Sequence, residues 1–182
     1  MQGKINDRFL LGLVAGLGGN AVKTLSDELL HRRRMSQRSF RSTAAGVWVS
    51  RKSEAESIKG QILGLLFDFG LAALGGIGIT QMLSKTGRDH YCLKGLVTGV
   101  AIGSGVTSLL SVLTSDRVKP KDAASNLSYM LSHALYGMTT AALAAKLGHP
   151  SLFDAPPLNN CLLPTELTST EAVPAASNTK RA

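Results

Sequence analysis

The chain has 182 residues, 44% of them hydrophobic, with 20 Lys and Arg against 12 Asp and Glu for a formal net charge of +8. That is one domain's length, and the two cysteines, Cys92 and Cys161, supply neither a disulfide framework nor metal-ligand spacing. The whole-chain mean hydropathy of +0.11 averages apolar blocks with polar connectors; in windows, three blocks near residues 60–83, 95–114 and 123–145 match the ~20 residues a helix needs to cross a bilayer.

The first helix is expected over about residues 6–30, capped by Asn6 or Asp7. Its apolar part, Phe9 to Val22, rises about 21 Å against a hydrocarbon core of about 30 Å, and Gly18-Gly19-Asn20 and Lys23 interrupt it. The pattern predicts a short, broken hydrophobic helix, either a marginal span or a re-entrant segment. Its extension is amphipathic, with Val22, Leu25 and Leu29 on one face and Asp27 and Glu28 opposite.

The connector that follows is basic, with Arg32, Arg33, Arg34, Arg38 and Arg41. Within about residues 36–50, Phe40, Ala44, Val47 and Trp48 recur at i, i+4, i+7 and i+8, predicting an interfacial helix with Trp48 at headgroup level. The arginines then serve as an anchor to anionic lipid headgroups rather than as a nucleic-acid patch. Ser53-Glu54-Ala55-Glu56 matches a capping box and places the second helix at about residues 54–84.

The short turn after it predicts antiparallel neighbours, with a third helix at about residues 91–115. Pro120 suits the opening turn of a fourth at about 121–147, which Gly148 and Pro150 end. Residues 154–182, rich in Pro, Ala, Ser, Thr and Asn, predict a disordered polar tail beyond a helical membrane domain spanning 1–153. The expected fold is all-α: a transmembrane bundle of four hydrophobic helices, three of them full spans and the first short or broken.

With all four helices crossing, Lys4, Arg8, Lys85, Arg88, Lys94 and Lys146 fall on one side. The eight basic residues between Arg32 and Lys59 fall on the other with Arg117, Lys119 and Lys121. The positive-inside tendency places this second side in the cytoplasm and both termini outside. The expected location is therefore the cell membrane, multi-pass.

Asp68 stands inside the second helix, where a carboxylate costs roughly 2.5–3.5 kcal/mol on insertion scales unless it finds a partner or a cavity. Gly64, Ala72, Gly75 and Ile79 share its helical face, so Asp68 is expected to point into the bundle. The fourth helix presents Asn126, Tyr129, His133, Tyr136 and Thr140 at helical spacing, which makes Asp68 and His133 a candidate intramembrane pair. Asn20 and Lys23 of the first helix are rival partners. Gly12 and Gly16, then Gly95, Gly99 and Gly103, then Gly137 with Ala141 form small-residue ridges for helix packing, a face shared with a homo-oligomer or a membrane protein partner being the other use of such ridges. No catalytic, metal or cofactor motif emerges. The expectation is a non-enzymatic structural or interaction component of the membrane, with a small proton-coupled transporter or channel using Asp68 and His133 as the alternative.

Several stretches carry a resemblance: Ile5-Asn6-Asp7-Arg8-Phe9-Leu10-Leu11-Gly12 with Ala15-Gly16 and Gly19-Asn20, then Phe67-Asp68-Phe69, then Thr86 to Gly95. Ser132-His133-Ala134-Leu135-Tyr136-Gly137 and Lys146 to Phe153 continue it. Over about residues 5–153 the chain resembles a family of small, uncharacterised multi-span membrane proteins of Gram-positive spore-forming bacteria. The resemblance implies a helical membrane bundle and no particular activity.

Overall fold

The computed structural model describes residues 4–114, 118 and 122–153. Expectations for Pro120, for Arg117, Lys119 and Lys121, for Cys161 and for the tail at 154–182 lie outside the described residues. The described residues are all-α: α1 (Arg8–Arg32), α2 (Phe40–Ala45), α3 (Lys52–Glu56), α4 (Ile58–Thr86), α5 (Tyr91–Leu113) and α6 (Ala123–Leu147), followed by a 3-10 turn at Pro150–Leu152.

α1, α4 and α5 are long and apolar enough to cross a membrane. This redistributes the expected spans. α1 is an unbroken helix of 25 residues, about 37 Å long, because Gly18-Gly19 and Lys23 sit within a continuous ladder instead of breaking it. The fourth expected span, α6, has the same length but is not among the three. Its inward face carries Ser128, Tyr129, Ser132, His133 and Tyr136, and twelve of its residues are buried.

Capping residues set the ends. Asp7 accepts the Leu10 N–H at the start of α1, as the sequence predicts. The Ser53 capping box does not form: α3 is a separate short helix capped at Arg51 without a side-chain bond, and α4 starts afresh with the Ser57 hydroxyl accepting the Gly60 N–H. The break is possible because Gly60 lacks a side chain; a Cβ there would lie 2.1 Å from the Glu54 carbonyl oxygen.

Asp122 caps α6 by accepting the Ser125 N–H at 2.8 Å, and that bond holds its carboxyl below the usual carboxylate range. With the folded value below the ordinary 3.8, the cap's stabilisation is complete above that pH and is lost as pH falls through the folded value. Asp122→Ala is expected to cost about 1 kcal/mol at neutral pH. Asp122→Asn should keep the cap and lose its acid sensitivity, which thermal unfolding in detergent at pH 3 and pH 6 would show.

Packing follows the glycine ridges. Gly12 and Gly16 of α1 cross Ala72, Gly76 and Ile77 of α4 in antiparallel fashion; Gly19 faces Tyr136 and Thr140 of α6; Gly95, Gly99 and Gly103 of α5 face Gly137 and His133 of α6. A Cβ on Gly16 would lie 2.4 Å from the Ala72 carbonyl oxygen, so only glycine permits this approach. α1 therefore lies between α4 and α6, and α5 lies on the far side of α6. The α4–α5 turn does make the two helices antiparallel, but they barely touch. Each has spent its small-residue ridge on another partner.

α2 also departs from expectation. Phe40, Ser42, Thr43, Ala44 and Ala45 are buried, and a Cβ on Gly64 would lie 2.0 Å from the Arg41 carbonyl oxygen, so α2 plugs the bundle's end instead of lying with its apolar face outward. Its apolar pattern is satisfied by protein. Only Trp48 remains half exposed, its ring edge-on to Phe67 at 5.1 Å.

Candidate functional site

The bundle carries large apolar side chains on its outside and, beside an apolar core that includes Leu11, Ile79 and Leu83, a buried polar cluster inside. Asn20, Lys23, Asp27, Asp68 and His133 are all at most 4% exposed, whereas Leu25, Leu66, Leu74, Val97 and Val112 are 59–80% exposed. α1 shows this in one helix: the face bearing Val22, Leu25 and Leu29 is outermost, and Asp27, opposite it, is buried.

Asp68 points inward, as its helical neighbours predicted, but its partners come from α1. Lys23 Nζ lies 2.5 Å from Asp68 Oδ1, and Asn20 Nδ2 donates to Asp68 Oδ2 at 3.1 Å. Both charged side chains are almost wholly enclosed, at 2% and 5% exposure. The antiparallel crossing at Gly16 and Gly76 brings the two helix axes close enough for this contact. A charge-assisted hydrogen bond to each carboxylate oxygen is what makes the burial tolerable.

His133 does not bond Asp68. Its Nδ1 lies 2.7 Å from the Tyr129 carbonyl oxygen one turn earlier, which makes Nδ1 the donor. Asp68 and His133 meet only across a cavity of about 20 Å³, lined also by Lys23, Leu71, Ala72, Ile102, Val106 and Tyr136. That is the space of about one water.

The other expected polar positions hold the helices together. The Tyr136 hydroxyl donates to the Ala72 carbonyl at 2.6 Å, tying α6 to α4. Tyr129 donates to the Arg38 carbonyl at 2.9 Å and meets the Thr43 hydroxyl at 3.0 Å, tying α6 to the plug. Asn126 turns back to the Asp122 carbonyl at 2.9 Å and lines a separate cavity of about 30 Å³ with Phe40, Thr43 and Thr107.

Two members of the cluster escaped the sequence reading. Asp27 accepts the Phe40 N–H at 2.8 Å, anchoring the start of α2. The Phe40 ring then sits 4.2 Å from Lys23 Nζ and edge-on to both Tyr129 and His133. A signal for Asp27 was present: Gly12, Gly16, Asn20, Lys23 and Asp27 follow one another at spacings of three and four, one stripe down α1. Phe40 had no such signal, because its place depends on how the connector folds back.

Asp68 lies ten residues from the start of α4 and eighteen from its end, or about 15 and 27 Å. The cluster is thus displaced toward the arginine-rich end of the bundle. There, Arg32 and Arg41 both pair with Glu28 at 2.8 Å, and Arg38 donates to the Val118 carbonyl. Arg33 and Arg34 are exposed.

The chain thus carries three helices compatible with a membrane protein and a buried cluster of charged side chains. No family model, no curated protein and no solved structure matches it.

Proposed function

We propose that this protein is a multi-pass component of the cell membrane with a structural or interaction role and no enzymatic activity. The distribution of polarity carries the reading: large apolar side chains cover the outside while a cluster of charged side chains and the small-residue ridges are buried inside, the arrangement that lipid as a solvent favours. In this role the Lys23–Asp68–Asn20 contact fixes the register of α1 on α4, and the bilayer itself is the first partner. The arginine-rich end faces the cytoplasm, where its charge meets anionic headgroups instead of nucleic acid. A bacterial membrane, as the sequence resemblance implies, belongs to the same reading.

A second reading, a small proton-coupled transporter or channel, is favoured by one observation: Asp68, Lys23 and His133 share a cavity. Proteoliposomes carrying a pH-sensitive dye separate the two. The structural role predicts proton flux no greater than in empty liposomes for wild type and for Asp68→Asn alike. Flux present in wild type and abolished by Asp68→Asn would overturn it in favour of transport.

A further inference from the structure

α1 ends in a way that its sequence makes costly. The Arg34 N–H bonds the His31 carbonyl and the Met35 N–H bonds the Leu30 carbonyl, both at 3.0 Å. This 5→2 and 6→1 pair is a Schellman motif, whose left-handed position is usually glycine. Here that position is Arg34, at φ 60°. A left-handed backbone crowds the Cβ of any L residue, by roughly 1–2 kcal/mol, so glycine would serve the turn better. A use for the arginine side chain would offset that cost.

The surroundings indicate the use. Beside the motif lies an open cleft of about 680 Å³, walled by His31, Arg32, Arg34, Ser36 and Gln37 on one side and by the first turn of α6 on the other. Arg32 commits its Nε to Glu28, and the Arg34 side chain makes no hydrogen bond or ion pair among the described residues. The His31 Nδ1 lies 3.1 Å from the Ser36 carbonyl, bracing the loop. One carboxylate, Asp122, lines the far wall, and it is engaged in capping α6. Met35, half exposed, adds an apolar contact at the same rim. At about 37 Å, α1 outreaches a hydrocarbon core of about 30 Å, which brings its last turn and this cleft to headgroup depth.

We propose that the cleft at the end of α1 binds a phosphate group, gripped by the guanidinium groups of Arg32 and Arg34, with an anionic phospholipid headgroup as its source. Guanidinium groups suit phosphate oxygens through forked, charge-assisted hydrogen bonds, and Met35 meets the less polar part of the lipid. The inference rests on the membrane reading above, deepening a diffuse basic surface into one seat.

The test uses Arg34→Gly. Glycine relieves the left-handed strain, so this variant should be at least as thermally stable as wild type while losing the phosphate ligand; a merely structural arginine would show neither combination. The full chain in neutral detergent is titrated with phosphatidylglycerol, phosphatidylcholine and inorganic phosphate, and retained ligand is read by native mass spectrometry. Wild type should hold one phosphatidylglycerol in preference to phosphatidylcholine, and Arg34→Gly should bind it about tenfold more weakly, the equivalent of one lost charge-assisted contact. Lys59→Gln, which removes a charge from the same end of the bundle but outside the cleft, should bind as wild type does. Competition by inorganic phosphate at equal concentration would support the site and make free phosphate its source. Equal retention of both lipids, unchanged binding by Arg34→Gly, or an equal loss in Lys59→Gln would overturn the proposal. Alkaline extraction of native membranes, which releases peripheral proteins only, tests membrane integration separately.

Discussion

Asp68→Leu is expected to destabilise the bundle by about 3–5 kcal/mol, because it leaves the Lys23 ammonium enclosed at 2% exposure without the carboxylate that bonds it. Asn20 loses its acceptor in the same step. The isosteric Asp68→Asn should cost less, since it keeps the volume and one acceptor oxygen. Replacing both partners, Lys23→Met with Asp68→Leu, should recover most of the loss: two apolar side chains have no desolvation penalty to offset. Thermal or SDS unfolding of the detergent-solubilised chain reads all three. A double variant no more stable than Asp68→Leu would mean that the damage lies in packing and not in the orphaned charge. The comparison also bears on function. If the double variant is stable and its host cells still lack the wild-type phenotype, the pair does more than hold two helices in register.

Gly137→Leu is the second large effect. A Cβ at Gly137 would lie 2.1 Å from the Gly95 carbonyl oxygen and 2.6 Å from the Gly99 Cα, and these are backbone atoms that no rotamer change can move. Ordinary overpacking costs about 1–3 kcal/mol, and this site should reach or exceed the upper figure. Because α5 rests on α6 and hardly on α4, the consequence should be local: α5 comes away while α1, α4 and α6 stay together. Hydrogen exchange should then rise throughout α5 and change little in α1. Gly105 provides the control, since a Cβ there meets nothing within 4 Å. Gly105→Leu should fall within about 0.5 kcal/mol of wild type, as surface substitutions do. Equal damage from both would show that the outer face of α5 is covered by something in the folded protein, a second copy included.

Parts of this architecture were legible before any coordinates. Asp7 and Gly148 were marked by local chemistry, since a cap needs only the residues within one turn. The small-residue ridges were legible as ridges, and the stripe around Asp68 indicated an inward carboxylate. The choice of its partner was not. Lys23 and His133 both stand at helical positions able to face Asp68, and the choice between them turns on which helices cross at their glycines. α1 approaches α4 to backbone contact at Gly16 and Gly76, which brings Lys23 within 2.5 Å, whereas His133 is held back by its bond to the Tyr129 carbonyl. The capping box at Ser53 failed for a related reason. Its four residues are correct in isolation, but the chain folds back over Gly60, and the cap passes to Ser57.

By itself, then, the sequence determined what depends on composition along a line: helical segments, two of the three that are apolar enough to cross a membrane, a basic end and glycine-ridged faces. The tertiary structure decided what depends on contact between segments distant in sequence. It made α1 an unbroken helix packed on both α4 and α6, buried Asp27, drove Phe40 into the polar cluster and joined Asp68 to Lys23 across 45 positions. The physical reason is that periodicity specifies which face of a helix is small or polar, whereas the identity of the opposing face is a competition among all the helices. That competition is settled by which backbones can approach most closely.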